Sequence, residues 1–159
     1  MNNNNTEIER KFLVESIPFD LDAFKCHTIE QGYISTDPTI RIRKKDSEYI
    51  LTVKGAGLIE RKEYELDLTK EQFEKLLKKV ESSIIKKKRY LIPLSGELTA
   101  ELDIYDGYLS GFMNVEVEFP SLKEALLFEP PAWFSRELTE DKRYTNGSLA
   151  YNGLPKEEK

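Results

Sequence analysis

Carboxylates and cations recur two residues apart along this chain. Glu7, Glu9 and Lys11 come first. Arg41 and Arg43, Glu63 and Glu65, Lys87 and Arg89, Glu101 and Asp103, and Glu116 and Glu118 follow. Side chains two apart in a β-strand point to the same face, so each set loads one face of one strand. Neighbouring like charges repel, and a sequence that repeats them calls for a counter-charge. A divalent metal ion answers a pair of carboxylates; phosphate oxygens answer a pair of cations. Together the sets suit a metal ion and a polyphosphate held in one place. A solvated sheet face explains any single pair, because charges usually sit outside. It explains poorly why same-sign pairs recur in strand after strand.

Other residues sharpen this chemistry. Lys54 ends an apolar run and precedes Gly55-Ala56-Gly57, which does not match a Walker A loop. Within Lys86-Lys87-Lys88-Arg89, a strand turns Lys87 and Arg89 one way and Lys86 and Lys88 the other. His27 is the one histidine and Cys26 the one cysteine. A histidine-based triad and a His-cluster metal site are thereby set aside. Carboxylate ligands favour a hard ion, Mg²⁺ or Mn²⁺, over Zn²⁺. One cysteine forms no internal disulfide, which fits a reducing, cytoplasmic compartment.

The elements that must carry these residues read as mainly strands. The alternation predicts strands at Glu7–Val14, Thr28–Ser35, Ile40–Lys45, Tyr49–Lys54, Arg61–Leu68, Ile84–Pro93, Glu97–Tyr105 and Asn114–Phe119. Phe73, Leu76, Leu77 and Val80 share one side of a helix expected over Lys70–Val80, with Thr69 as its N-cap. A shorter helix is expected at Leu122–Phe128 after Ser121, and a further short one near Pro18–Phe24. The tail, 133–159, reads as loop and short helix, with Asn146–Tyr151 the best candidate; that helix either covers one mouth of a barrel or packs on its wall. Trp133 and Phe134 read as core anchors. Met1 and the four asparagines after it are expected to fray.

With 159 residues the chain is expected to form a single domain with a sizeable core. Its hydrophobic fraction of 39% is low and its charged fraction of 33% high for a globular chain. A net charge of −5 argues against nucleic acid as a partner. No apolar run is long enough to span a membrane as a helix, and no signal peptide is visible. A homodimer is compatible with the chain, but no pattern specifies one. About eight strands joined by tight turns predict an α+β fold that is mainly antiparallel β: an eight-stranded closed barrel with helices packed outside. If the apolar faces pack outward against those helices, the charged faces meet inside.

The ordered set of motifs resembles the CYTH superfamily, the triphosphate tunnel metalloenzymes, in its compact bacterial form. The ExExK hallmark is matched by Glu7, Glu9 and Lys11, and RxR by Arg41 and Arg43. The lone strand lysine is matched by Lys54, the first later ExE by Glu63 and Glu65, KxR by Lys87 and Arg89, and the last ExE by Glu116 and Glu118. Asp103 matches an acidic position in the preceding strand, and Thr139–Tyr144 a C-terminal basic element. The resemblance implies a barrel forming a tunnel. Lys11, Arg41, Arg43, Lys54, Lys87, Arg89 and either Lys142 or Arg143 would grip a triphosphate. Glu7, Glu9, Glu63, Glu65, Asp103, Glu116 and Glu118 would hold Mg²⁺ or Mn²⁺. Lys11, with Glu7 and Glu9, is placed at the reacting centre, as a phosphate clamp or a proton acceptor. Tyr33 either orients Lys11 or is a barrel-wall aromatic. The implied activity is hydrolysis of inorganic triphosphate or a related triphosphate. Cyclisation of ATP to cyclic AMP and non-enzymatic sensing of polyphosphate or nucleotide remain alternatives. A completed acidic set counts against a pure sensor.

Overall fold

The alternating apolar residues of this chain leave each strand with one greasy and one charged face, and the fold is the solution to that pattern. The computed structural model describes residues 6–57 and 59–156; the polar run before Thr6, expected to fray, lies outside them. Among the described residues there are eight strands: β1 (Thr6–Leu13), β2 (Lys25–Thr36), β3 (Thr39–Lys45), β4 (Glu48–Lys54), β5 (Glu60–Leu68), β6 (Ile85–Pro93), β7 (Thr99–Tyr105) and β8 (Met113–Glu118). They close into a barrel in the order β1-β5-β4-β3-β2-β6-β7-β8. Every pairing is antiparallel, and β8 returns to β1 with Lys11 opposite Glu116 and Glu9 opposite Glu118. Closure leaves no sheet edge to protect.

The apolar faces point outward and are covered there. Phe12, Leu102, Val115, Val117 and Phe119 pack beneath Ala125 of α2 (Leu122–Leu127) and beneath Phe134. Phe12 and Phe134 meet at 5.0 Å, and Trp133 stands edge-on to Phe134 at 4.6 Å, so the pair anchors the tail as expected. Each such side chain contributes about 1.5–3 kcal/mol through burial. On the other side Phe73 of α1 (Lys70–Leu77) lies against Tyr49 of β4. Thr69 is the N-cap as expected, and with Gln72 it forms a capping box, each side chain accepting from the other's backbone N–H.

The boundaries differ from expectation where local geometry intervenes. α1 stops at Leu77, and Val80 drops from the following turn onto Gly32, where a β-carbon would come within 2.8 Å of it. β7 starts at Thr99, because Ser95–Glu97 forms a 3₁₀ turn with Gly96 and Glu97 at positive φ. The Pro18–Phe24 segment contains one 3₁₀ turn, Leu21–Ala23. In the tail, Thr145 caps α3 (Asn146–Asn152), and Leu149 and Ala150 pack on Tyr33, Ile85, Tyr105 and Leu109 at one end of the barrel. Asn146, Gly147, Ser148 and Tyr151 line the interior cavity, so α3 lies across a mouth of the barrel.

Candidate active site

Barrel closure puts the charged faces around a cavity of about 780 Å³. Strand order then sorts them. The acids come from β7, β8, β1 and β5, which are consecutive around the barrel; the cations of Arg41, Arg43, Lys54 and Arg89 come from β4, β3 and β6 on the remaining arc. Glu7, Glu9, Lys11, Arg41, Arg43, Lys54, Glu63, Glu65, Arg89, Glu116, Glu118 and Lys142 all line this one cavity. Residues from most of the chain's length are thereby brought together as their spacing suggested. The loop after Lys54 also lines it. Gly57 there has φ of 128° and no room for a β-carbon, which would lie 2.2 Å from the Glu60 carbonyl.

On the acid wall burial and neighbouring charges push the carboxyls in opposite directions. Burial works against the charge of Glu7, but Lys54 at 3.0 Å and Arg61 at 3.2 Å outweigh it and lower its pKa to about 2. Glu63, raised by burial and by its hydrogen bond to Glu7, reaches about 8. Glu9 is raised well above the usual carboxylate range by burial and then by Glu116 beside it. Glu116 is held well below that range despite burial, because Lys11 and Arg89 face it. Glu118, on the more open rim, is raised by burial and by Glu7 and Glu101. This is the electrostatics of crowded carboxylates short of positive charge.

The cation wall has the opposite shortage. Arg43 Nε donates to Gln31 Oε1 at 2.9 Å, and Arg41 Nη2 to Thr52 Oγ1 at 3.2 Å. Both partners are neutral. Among the described residues no carboxylate forms an ion pair with either guanidinium, and the buried Arg41 Nε has no acceptor. Burial, and then Arg41 and Arg89 nearby, lower the Arg43 pKa to about 9.

Three expected site residues take other places. Asp103 was expected to ligate metal, yet it is 0% exposed and both its oxygens are spoken for. Arg89 clamps it with Nε at 2.8 Å and Nη2 at 2.9 Å, and Lys87 Nζ lies 2.7 Å away. Lys87 is buried in that contact, with Asn146 Oδ1 as a further acceptor at 3.2 Å, and does not reach the cavity. Of the two C-terminal candidates Lys142 lines the cavity, whereas Arg143 forks onto Asp141 at 2.9 and 2.7 Å and lies over the Tyr144 ring. Lys11 donates to the Tyr144 carbonyl at 3.1 Å and lies 3.7 Å from Glu116. Tyr33 takes no part in those contacts; it is a buried wall aromatic that accepts from Gln31.

Arg61 was not foreseen. It lines the cavity and joins Glu7 to Glu9, with Nη2 at 2.8 Å from Glu9. The signal was present: Arg61 precedes Glu63 and Glu65 at the same two-residue period. Glu101, bonded to Arg89 at 3.3 Å, also lines the cavity. Asn146 had no signal in the pattern, because its place depends on how the tail returns.

A hard divalent cation needs oxygen donors, and Glu7, Glu9, Glu63, Glu65, Glu116 and Glu118 supply them from one wall. The crowding of like charge on that wall is where added positive charge is accommodated, and oxygen donors are the kind that Mg²⁺ or Mn²⁺ takes. Among the described residues no three acidic, histidine or cysteine side chains stand close enough to grip one ion together. Lys54 and Arg61 occupy Glu7 and Glu9 instead.

The CYTH domain profile matches residues 5–143. An inorganic triphosphatase of Nitrosomonas europaea is 45% identical over 150 residues, covering 91% of this chain and 97% of that protein. An inorganic triphosphatase of Acetivibrio thermocellus is 35% identical over 154 residues, covering 92% and 94%. The crystal structure of an inorganic triphosphatase superposes with a TM-score of 0.68 at 40% identity, covering 94% of this chain and 97% of that one.

Proposed function

The chain belongs to the CYTH domain family, and from that premise we propose that it is an inorganic triphosphatase dependent on Mg²⁺ or Mn²⁺. The observation that carries the reading is the pair Arg41 and Arg43, two guanidiniums inside the barrel without a carboxylate between them. Buried cations are matched by an anion or they cost stability. A chain of phosphates is the anion that fits a row of cations facing a row of acids, since its oxygens bind the first and share a metal with the second.

Arg41 and Arg43 seat the phosphates, Lys54 and Lys142 extend the row, and Arg89 is aimed by Asp103. Gln31 holds Arg43 in place, so little ordering remains to be done when substrate arrives. Lys11 is supported as a phosphate clamp, because both atoms it touches, the Tyr144 carbonyl and Glu116, are acceptors that suit a donating amine. An ion held by Glu7, Glu9, Glu63, Glu65, Glu116 and Glu118 would neutralise phosphate oxygens and make water a better nucleophile. In the reaction a water oxygen bonds to a terminal phosphorus while the bond from that phosphorus to its bridging oxygen breaks, giving orthophosphate and pyrophosphate. The cations bear the charge that gathers on the leaving bridge oxygen.

The test is a product assay with inorganic triphosphate, ATP and thiamine triphosphate, each with Mg²⁺, with Mn²⁺ and with chelator. Equal yields of orthophosphate and pyrophosphate from inorganic triphosphate, lost in chelator, are expected. Cyclic AMP from ATP, or no product from inorganic triphosphate, would overturn the reading; full turnover in chelator would remove the metal from it.

A further inference from the structure

Arg61 stands on β5 directly across from Glu7. Its guanidinium reaches two different carboxylates, Nε at 3.2 Å from Glu7 Oε1 and Nη2 at 2.8 Å from Glu9 Oε1. One cation thus bridges two acids of the wall that would hold the metal. The same Glu7 oxygen also accepts from Lys54 Nζ at 3.0 Å. A metal ion approaching Glu7 and Glu9 meets carboxylates that already have positive partners.

Arg61 is also placed to leave them. It lines the cavity, on the strand beside β4, where Lys54 begins the arc of cations. One strand further lie Arg41 and Arg43, which lack anionic partners. A phosphate chain drawn to those two would bring oxygens toward Lys54 and Arg61, and planar two-pronged binding suits phosphate as well as it suits carboxylate.

We infer that Arg61 is an internal counter-cation of Glu7 and Glu9 that moves to phosphate when triphosphate binds, so that metal loading is coupled to substrate binding. The inference rests on the triphosphatase reading above. It makes Arg61 a positioning residue for the metal, and by linkage the coupling is reciprocal: whatever factor phosphate lends to the metal, the metal lends to phosphate.

The experiment measures Mn²⁺ binding, by the loss of the free-ion paramagnetic resonance signal, to wild type, Arg61→Gln and Arg61→Lys. Each is measured alone and with a methylene-bridged triphosphate analogue. Wild type should bind Mn²⁺ weakly alone and on the order of tenfold more tightly with the analogue. Arg61→Gln should bind Mn²⁺ alone more tightly than wild type by a similar factor and gain little from the analogue. Arg61→Lys, which keeps the charge but loses the fork, should fall between them and serves as a second folded variant. Wild-type-like Mn²⁺ affinity in Arg61→Gln, with the same gain from the analogue, would overturn the inference and leave the triphosphatase reading standing. If wild type binds no Mn²⁺ with or without analogue while it still hydrolyses triphosphate, the metal-dependent mechanism and the inference both fall.

Discussion

Arg89 grips Asp103 with both arms of its guanidinium, Nε to Oδ1 at 2.8 Å and Nη2 to Oδ2 at 2.9 Å, with no part of Asp103 exposed. Lys87 completes a buried triad at 2.7 Å. Removing one member of such a set strands the others without a partner. Asp103→Asn should therefore destabilise the fold by about 3–5 kcal/mol. It should also weaken substrate binding through a misplaced Arg89. Chemical denaturation and Mn²⁺ affinity, measured together, separate this from a role in holding metal. A folded Asp103→Asn protein of unchanged stability but reduced Mn²⁺ affinity would return Asp103 to the metal site.

Arg41 and Arg43 should respond in the opposite way. Each is enclosed beside another cation without an acidic partner. Arg41→Ala should leave stability unchanged or higher, while substrate binding weakens by about 1.5–3 kcal/mol, the worth of a hydrogen bond to a charged group. Lys86→Ala and Lys88→Ala serve as controls, because both residues are exposed on the outer face of β6. Thermal melts and the KM for triphosphate would check all three. If Lys88→Ala raises KM as much as Arg41→Ala does, the assignment of inner and outer faces fails.

How much was legible depends on whether a residue's role follows from strand period or from depth. Period alone put Glu7, Glu9 and Lys11 on one face of their strand and Arg41 and Arg43 on one face of theirs, and closure of the barrel with its apolar faces outward turned those faces inward. The same repeat set Asp103 beside Glu101 but carried no information on which one the cavity reaches. That is decided by Arg89 and Lys87 closing over Asp103. Arg61 obeyed the repeat and was overlooked because it precedes an acidic pair instead of belonging to a cationic one. The contacts of Lys11 could not be read at all. Its carbonyl partner, on Tyr144, lies 133 residues away and is brought back by the tail. The choice between Lys142 and Arg143 turned on a local competition that Asp141 won by capturing Arg143.

Stability should carry a small acid-sensitive component from the outer wall. Arg10 forks onto Glu137 at 2.8 and 2.7 Å and donates to the carbonyls of Ala125 and Phe128, tying β1 to α2 and to the chain that follows it. The hydrogen bond from Arg10 holds the Glu137 carboxyl below its ordinary value. A depressed carboxylate contributes stability above its unfolded pKa, near 4.3, and loses that contribution as pH falls through its folded value. Glu137 is partly exposed, so the contribution at neutral pH is about 1 kcal/mol or less. Glu137→Gln should lower Tm slightly at pH 7 and not at pH 2. An equal deficit at both values would show that the side chain acts through packing and not through charge.

Glu9→Gln tests the acid wall itself. In the metal-free protein burial, and then the Glu116 carboxylate beside it, raise the Glu9 carboxyl well above its ordinary range. A glutamine has the same shape and no charge. Its amide can donate to the neighbouring Glu116, and its oxygen can still accept from Arg61 Nη2, 2.8 Å from Glu9. Melting in chelator should therefore change by no more than about 1 kcal/mol. Metal binding draws on a carboxylate, which an amide cannot supply. Mn²⁺ affinity, and turnover at limiting Mn²⁺, should fall on the order of tenfold or more. A Glu9→Gln protein with wild-type turnover at limiting metal would take Glu9 out of the metal site. A large loss of stability in chelator would instead show that Glu9 is charged in the metal-free protein and that its ion pair with Arg61 helps hold the barrel closed.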